Sequence, residues 1–215
     1  MHYSNDVSRR DACAGLLLGL ISVGAKARPI DLGRGAQSYF LLPADFDINE
    51  LMIDPPPSDD LSEAQLLMTY QAARVKHQIE QIEAESINPV PLFWRCAGLD
   101  EAKYPDHALL LNRAVVDTET IVIDLKRRFN RRRPNTVLPS IRPVVPVPWH
   151  SSYPSGHATQ AIVIASLLSR WAPDSSERLN KFAIQVGRNR EIAGLHYPSD
   201  TNAGFRLGRQ LAELF

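Results

Sequence analysis

The apolar positions of this chain fall into helical spacing in nearly every long segment, and strand-like alternation is scarce. An apolar run covers Ala12 to Ala25, and the turn "DPPPSDD" from Asp54 to Asp60 stops any helix. Ser62 with Gln65 then makes a capping box for one helix running to roughly Glu85, with Leu66, Tyr70, Ala73 and Val75 to Ile79 on its apolar face. A loop with Pro89 and Pro91 follows. From Asp106 the positions Leu111, Val115, Thr118, Val122, Leu125 and Phe129 step by three and four, which predicts one long helix that Pro134 ends. The proline-rich stretch from Asn135 to Pro148 reads as a rigid connector. A core helix begins near Ser155, a second runs from about Ser175 to Ile192 under an Asp174/Glu177 cap, and a short terminal helix follows Asp200. The fold class expected is an all-α, single-domain bundle with antiparallel neighbours joined by short loops.

Composition narrows the classes of function. At 215 residues and 44% hydrophobic content the chain can bury a real core. Lysine plus arginine and aspartate plus glutamate both total 24, so overall charge favours neither a nucleic-acid partner nor an acidic tail. Arg9 and Arg10, the apolar run and Ala25-Lys26-Ala27 together read as a signal peptide over residues 1–27, by the Tat or the Sec route. The expected division is therefore a signal peptide (1–27), an extended segment (28–60) and one domain (61–215), with a periplasmic or secreted location. No later segment has the length of uninterrupted apolar residues that a membrane span needs. Cys13 lies in the signal, leaving Cys96 among Phe93, Trp94 and Leu99 as a buried small hydrophobe without a disulfide partner.

Three clusters carry candidate chemistry. In "KRRFNRRRP", Lys126 and Arg133 stand about two helical turns apart, and Arg133 offers the planar fork that fits phosphate oxygens. Taken alone this is a solvated basic helix end; Arg127, Arg128, Arg131 and Arg132 also suggest nucleic acid, without a second basic patch or stacking aromatics. In "PSGH", Gly156 allows close backbone approach, Ser155 is placed to cap the helix, and a helix N-terminus attracts anions. In "NREIAGLHYPSD", Asp200 lies four residues beyond His196, where a carboxylate can accept the Nδ1–H and leave Nε2 free to attack. Each pattern alone has an incidental reading.

Together the three blocks resemble the signature of the type 2 phosphatidic acid phosphatase superfamily, K-x6-RP, PSGH and SR-x5-H-x3-D, in order and with the right internal spacings. "DPPPSDD" and "SYPSGH" look most like the bacterial class A non-specific acid phosphatases. The resemblance implies His196 as nucleophile through a phosphohistidine, Asp200 as its orienter and His157 as general acid and then base. It implies Lys126, Arg133, Arg190, Ser155 and Gly156 as phosphate ligands, with no metal and no cofactor. Small phosphate monoesters would be the partners, a homo-oligomer is compatible with it, and a bell-shaped pH profile on the acid side is expected. Asn189 in the family's serine position, Asn135 after Pro134 and the Tyr197-Pro198 pair depart from the class A pattern and leave subfamily and substrate open. The alternatives are a vanadium-dependent haloperoxidase, which holds vanadate in the same site, a lipid phosphatase, and an exported anion binder without turnover. Of the other histidines, His2, His77, His107 and His150 form no metal motif. His77 reads as a surface residue and His150 as a pocket-wall residue.

Overall fold

Eight α-helices and no strand make up the described part of the chain, which in this computed structural model is residues 39–215 apart from Ala44. The signal-peptide expectation over residues 1–27 lies outside it. The first helices depart from the single one expected. Helix α1 spans Asp60–Ala72, and its start is set by Asp59, whose carboxylate accepts the Ser62 N–H (3.0 Å) and hydroxyl (2.6 Å). Helix α2 spans Lys76–Ile87. The chain breaks between them because Val75 is extended and the Arg74 guanidinium is drawn inward, donating to the Ile192 carbonyl (2.7 Å) and the Arg142 carbonyl (2.6 Å). These are tertiary bonds that no local pattern encodes. Where a loop was expected there is α3, Val90–Ala97. Its prolines lie at the start, where no helical N–H is lost, and Gly98 closes it in the left-handed region (φ 72°).

The long helix α4 runs Pro105–Phe129, as its spacing predicts. Asn130 stops it by adopting φ 45° and donating its N–H to the Lys126 carbonyl (2.9 Å). Pro134 does not close α4. It opens the four-residue α5, Pro134–Val137. Residues 40–42 lie along α4, and their three backbone N–H groups converge on the buried Asp117 carboxylate at 2.7, 2.7 and 3.2 Å.

Helix α6, Gly156–Trp171, is apolar on nearly every face because it is the centre of the bundle. It packs on α7 (Ser176–Ile192), α8 (Pro198–Leu214), α4 and α3. The expected Asp174 cap of α7 is not made. Asp174 sits in a 3-10 turn, and Ser175 at the cap position donates its hydroxyl to the Ala97 carbonyl (2.9 Å) instead. Cys96 is half-buried against the core, more open than expected, because its short helix presents Phe93, Trp94 and Ala97 inward. His77 is exposed.

Helix α8 has 17 residues rather than the short segment expected after Asp200. Pro198 opens it, and its glycines are contact residues, not breaks. A Cβ at Gly204 would stand 2.6 Å from the Ser155 carbonyl oxygen and 2.9 Å from the Ala158 Cβ; one at Gly208 would stand 2.6 Å from the Thr159 carbonyl oxygen. This close crossing brings the start of α8 against the start of α6, where the Ser155 N–H donates to the Asp200 carbonyl (3.0 Å). Gly204→Ala is expected to lower stability by ~1–3 kcal/mol through overpacking against backbone, read as a drop in Tm. An unchanged Tm would show that the helices separate freely.

Candidate active site

The last turns of α4, the start of α6, the end of α7 and the loop that leads into α8 meet around a cavity of about 270 Å³. Lys126, Gly156, His157, Arg190 and His196 line it, with His150 in its wall as expected. The three sequence clusters, up to 74 positions apart, thus share one space. Arg133, Ser155 and Asp200 stand directly behind it, through the contacts described below.

Lys126 is 2% exposed and donates its ammonium to the Ser151 (2.8 Å) and Ser152 (2.7 Å) carbonyls. Two of its three N–H groups are used, which leaves one for a ligand. Burial, and then Arg133, hold its pKa well below the ordinary lysine range, with Asp200 opposing. Arg133 donates to the carbonyls of His150 (Nε, 3.0 Å) and Leu195 (Nη1, 2.9 Å), and its pKa falls to about 10 through burial. Its Nη1 lies 3.3 Å from Nε2 of His196, and its Nη2 lies 3.1 Å from Nδ1 of His150.

A guanidinium only donates, so Nε2 of His196 must be the acceptor and Nδ1 must carry the proton. That Nδ1 sits 3.2 Å from Oδ2 of Asp200. Burial and the surrounding cations, Arg133 first, push the His196 pKa well below its ordinary value, so the ring is neutral. Its lone pair faces the cationic side of the site. Asp200 is itself fixed on both oxygens: Oδ2 also accepts the Tyr197 N–H (3.0 Å), and Oδ1 accepts Nη1 of Arg131 at 2.6 Å.

Arg131 is one of two residues that sequence reasoning missed; it stands just past α4, in the basic run that reads as a solvated helix end. It is buried in a three-carboxylate clamp: Asp60 at 2.9 Å, Glu63 at 2.7 Å and Asp200 at 2.6 Å, with the Tyr197 ring 4.0 Å below its guanidinium carbon. Glu63 also accepts the Ser199 N–H (2.8 Å) and hydroxyl (2.5 Å), tying α1 to the first turn of α8. Only the tertiary fold places these carboxylates around it.

Arg190 is fully buried and donates Nη2 to the Ile82 carbonyl (3.0 Å) and to Glu85 (3.2 Å). Its Nε and Nη1 have no hydrogen-bond partner, and neither does the buried Ser155 hydroxyl. Ser155 was expected to cap α6 through that hydroxyl. It occupies the cap position without making the bond, so the oxygen stays available. Buried donors left unpaired are costly unless a ligand satisfies them, and three such donors beside a cation cluster describe an oxyanion cradle. Glu85, a second residue missed by sequence, is fully buried. Asn189 donates Nδ2 to both its oxygens (3.0 and 2.9 Å), so the departure from serine brings a bond to the carboxylate that holds Arg190.

His157 is depressed to a pKa of about 3 by burial and then by Arg190 and Lys126, and His150 to about 4 by burial and then Lys126. Nε2 of His157 lies 3.3 Å from the Ser86 carbonyl and so carries the proton of the neutral ring. Among the described residues no group of three or more His, Cys, Asp or Glu is arranged to hold a metal, and no helix is long and apolar enough to cross a membrane.

The profile of the PAP2 superfamily matches residues 108–215, which contains all three clusters. A non-specific acid phosphatase of Salmonella typhi is 37% identical over 57 residues, 26% of this chain and 23% of that protein. An acid phosphatase of Zymomonas mobilis is 29% identical over 121 residues, 52% of this chain and 45% of that protein. The matches thus span less than half the length of either relative. Among solved structures, a bacterial vanadium-dependent iodoperoxidase aligns with a TM-score of 0.65 at 19% identity, over 78% of this chain and 52% of that one, a likeness of fold.

Proposed function

Because the chain belongs to the PAP2 superfamily, we propose that it is an exported, metal-independent acid phosphatase that hydrolyses phosphate monoesters through a phosphohistidine on His196. The observation that carries this reading is the neutral His196 ring, with Nδ1–H on Asp200 and the Nε2 lone pair turned toward a buried cluster of cations with unpaired donors. A bound phosphoryl group would take up Nε and Nη1 of Arg190, the Ser155 hydroxyl, the remaining Lys126 N–H and the Arg133 Nη1 N–H that otherwise meets His196. Arg133 then leaves Nε2 free. Attack forms the N–P bond as the ester P–O bond breaks, and His157 gives its proton to the departing alkoxide. Asp200 offsets the positive charge on the phosphorylated ring. In the second half, water gives a proton to His157 as it attacks phosphorus, the N–P bond breaks, and phosphate leaves.

Release of phosphate from p-nitrophenyl phosphate in excess chelator, with a trapped acid-labile and alkali-stable phosphoenzyme, would support the scheme. Absence of both would reject it. The cradle fits vanadate as well as phosphate, since its orphaned donors need an oxyanion of that shape. Vanadate is expected to compete with substrate, and the haloperoxidase alternative rests on the same residues. Export rests on the apolar run of residues 12–25 and its A-x-A site.

The pH dependence follows from the signs of the shifts. His157 must be protonated to act as acid, yet in the free site the cations Arg190 and Lys126 help hold it at about 3. A phosphate dianion among those cations cancels part of their field and raises the His157 pKa. The basic limb of kcat is therefore expected at higher pH than the basic limb of kcat/KM, because the former reports the complex and the latter free enzyme. Superimposed limbs, after allowing for substrate ionisation, would count against His157 as the acid.

A further inference from the structure

Beyond the phosphoryl cradle, the cavity changes character. Ile87, Ile123, Val145, Pro146 and Pro148 line its outer part, contributed by the end of α2, the last turns of α4 and the proline-rich connector. The polar groups there are few. The Ser86 hydroxyl already donates to the Glu83 carbonyl (2.8 Å), and the Ser86 carbonyl already faces His157, so Glu119, Gln160 and Nε2 of His150 are the side-chain groups left to meet a polar leaving group. Ile87 is 93% exposed at the mouth, where it gains most from being covered.

Resting on the phosphatase reading, we propose that the site selects phosphate monoesters whose alcohol is apolar, an alkyl or aryl group, over sugar phosphates and nucleotides. The phosphate end is held by charge, which recognises every monoester alike; discrimination must come from the wall. A sugar in this cavity would lose water from several hydroxyls and find partners for few of them, whereas an alkyl chain only loses unfavourable contact with water. The Glu119 carboxylate adds a second filter, since it repels a further phosphate on the leaving group and disfavours bisphosphates.

Alkyl phosphates provide the test, because their leaving-group basicity hardly changes along the series. From ethyl to butyl to hexyl phosphate, kcat/KM is expected to rise about two- to fourfold per methylene, the effect of burying a CH₂ group. Hexyl phosphate should exceed glucose 6-phosphate and adenosine monophosphate by at least about tenfold. Ile87→Ser should lower the hexyl-to-ethyl ratio. Ethyl, butyl and hexyl phosphonates, which cannot be hydrolysed, are titrated in parallel and should bind with the same rising trend. Turnover of ethyl phosphate with no gain for hexyl, or a preference for glucose 6-phosphate, overturns the proposal alone. No release from any ester overturns the phosphatase reading, and the phosphonate series then decides the apolar wall by itself: a flat series overturns it.

Discussion

Phosphate release by His196→Ala is expected to fall by at least about 10³-fold, with most of the loss in kcat, because removing a nucleophile closes the covalent route and leaves only the cradle. The substitution removes a buried neutral ring, so phosphate and vanadate should still bind through Lys126, Arg133 and Arg190. Retained binding with lost turnover separates a missing nucleophile from a misfolded site, and circular dichroism would check that the helices remain. A variant that keeps more than about a tenth of wild-type kcat would reject His196 as the nucleophile. His157→Ala makes a useful companion, since activated aryl esters need the acid less than alkyl esters and should suffer less from its loss.

Arg131→Leu is expected to destabilise the protein by about 3–5 kcal/mol, the usual cost of breaking a buried ion pair from one side. The reason is specific to this clamp: the side chain is 2% exposed and its guanidinium pairs with Asp60, Glu63 and Asp200 at once. The change should also reach the chemistry. Burial raises the Asp200 pKa, and Arg131 is the first of the groups that oppose this rise. Without it Asp200 tends to take up a proton, and a protonated carboxyl is a poorer acceptor for His196 Nδ1–H. Activity should then fall further than the folded fraction does, and most at acid pH. Arg131→Lys, which restores the charge but not the three-way fork, should recover part of the stability and less of the activity. Urea denaturation beside pH-resolved kinetics would read both effects, and a loss of activity that merely follows the folded fraction would sink the second claim.

The three histidines of the site explain why these variants need pH-resolved measurement. His150, His157 and His196 all have folded-state pKa values below the unfolded value near 6.5. Below that value the unfolded chain binds more protons than the folded one, so their contribution to stability is lost as pH falls from about 6.5. Bound phosphate, by raising those pKa values, should reduce the loss.

The candidate site was legible in the sequence because most of its parts sit in short runs with fixed spacing. Asp200, in the first turn of α8, lies four residues beyond His196 in the loop before it, and seven residues from Lys126 to Arg133 carry the chain just past the end of α4. The same local regularity made α4, α6 and α7 readable from their apolar periods. Failures came where a distant group decides. Arg74 breaks the first helix by reaching the Ile192 and Arg142 carbonyls. The terminal helix, expected to be short, runs 17 residues because Gly204 and Gly208 let it cross closely on α6.

By itself, then, the sequence determined the helical class and the three motif blocks that mark the PAP2 superfamily, since these depend on neighbours within a turn or two. Tertiary structure alone decided that Arg131 belongs to Asp60, Glu63 and Asp200 rather than to a nucleic-acid face. It also decided that Glu85 and Asn189 support Arg190, and that apolar side chains share the cavity with Lys126, Arg190 and His196. Ion pairs and burial are set by distances between segments that the chain order leaves free, and only packing around α6 fixes those distances.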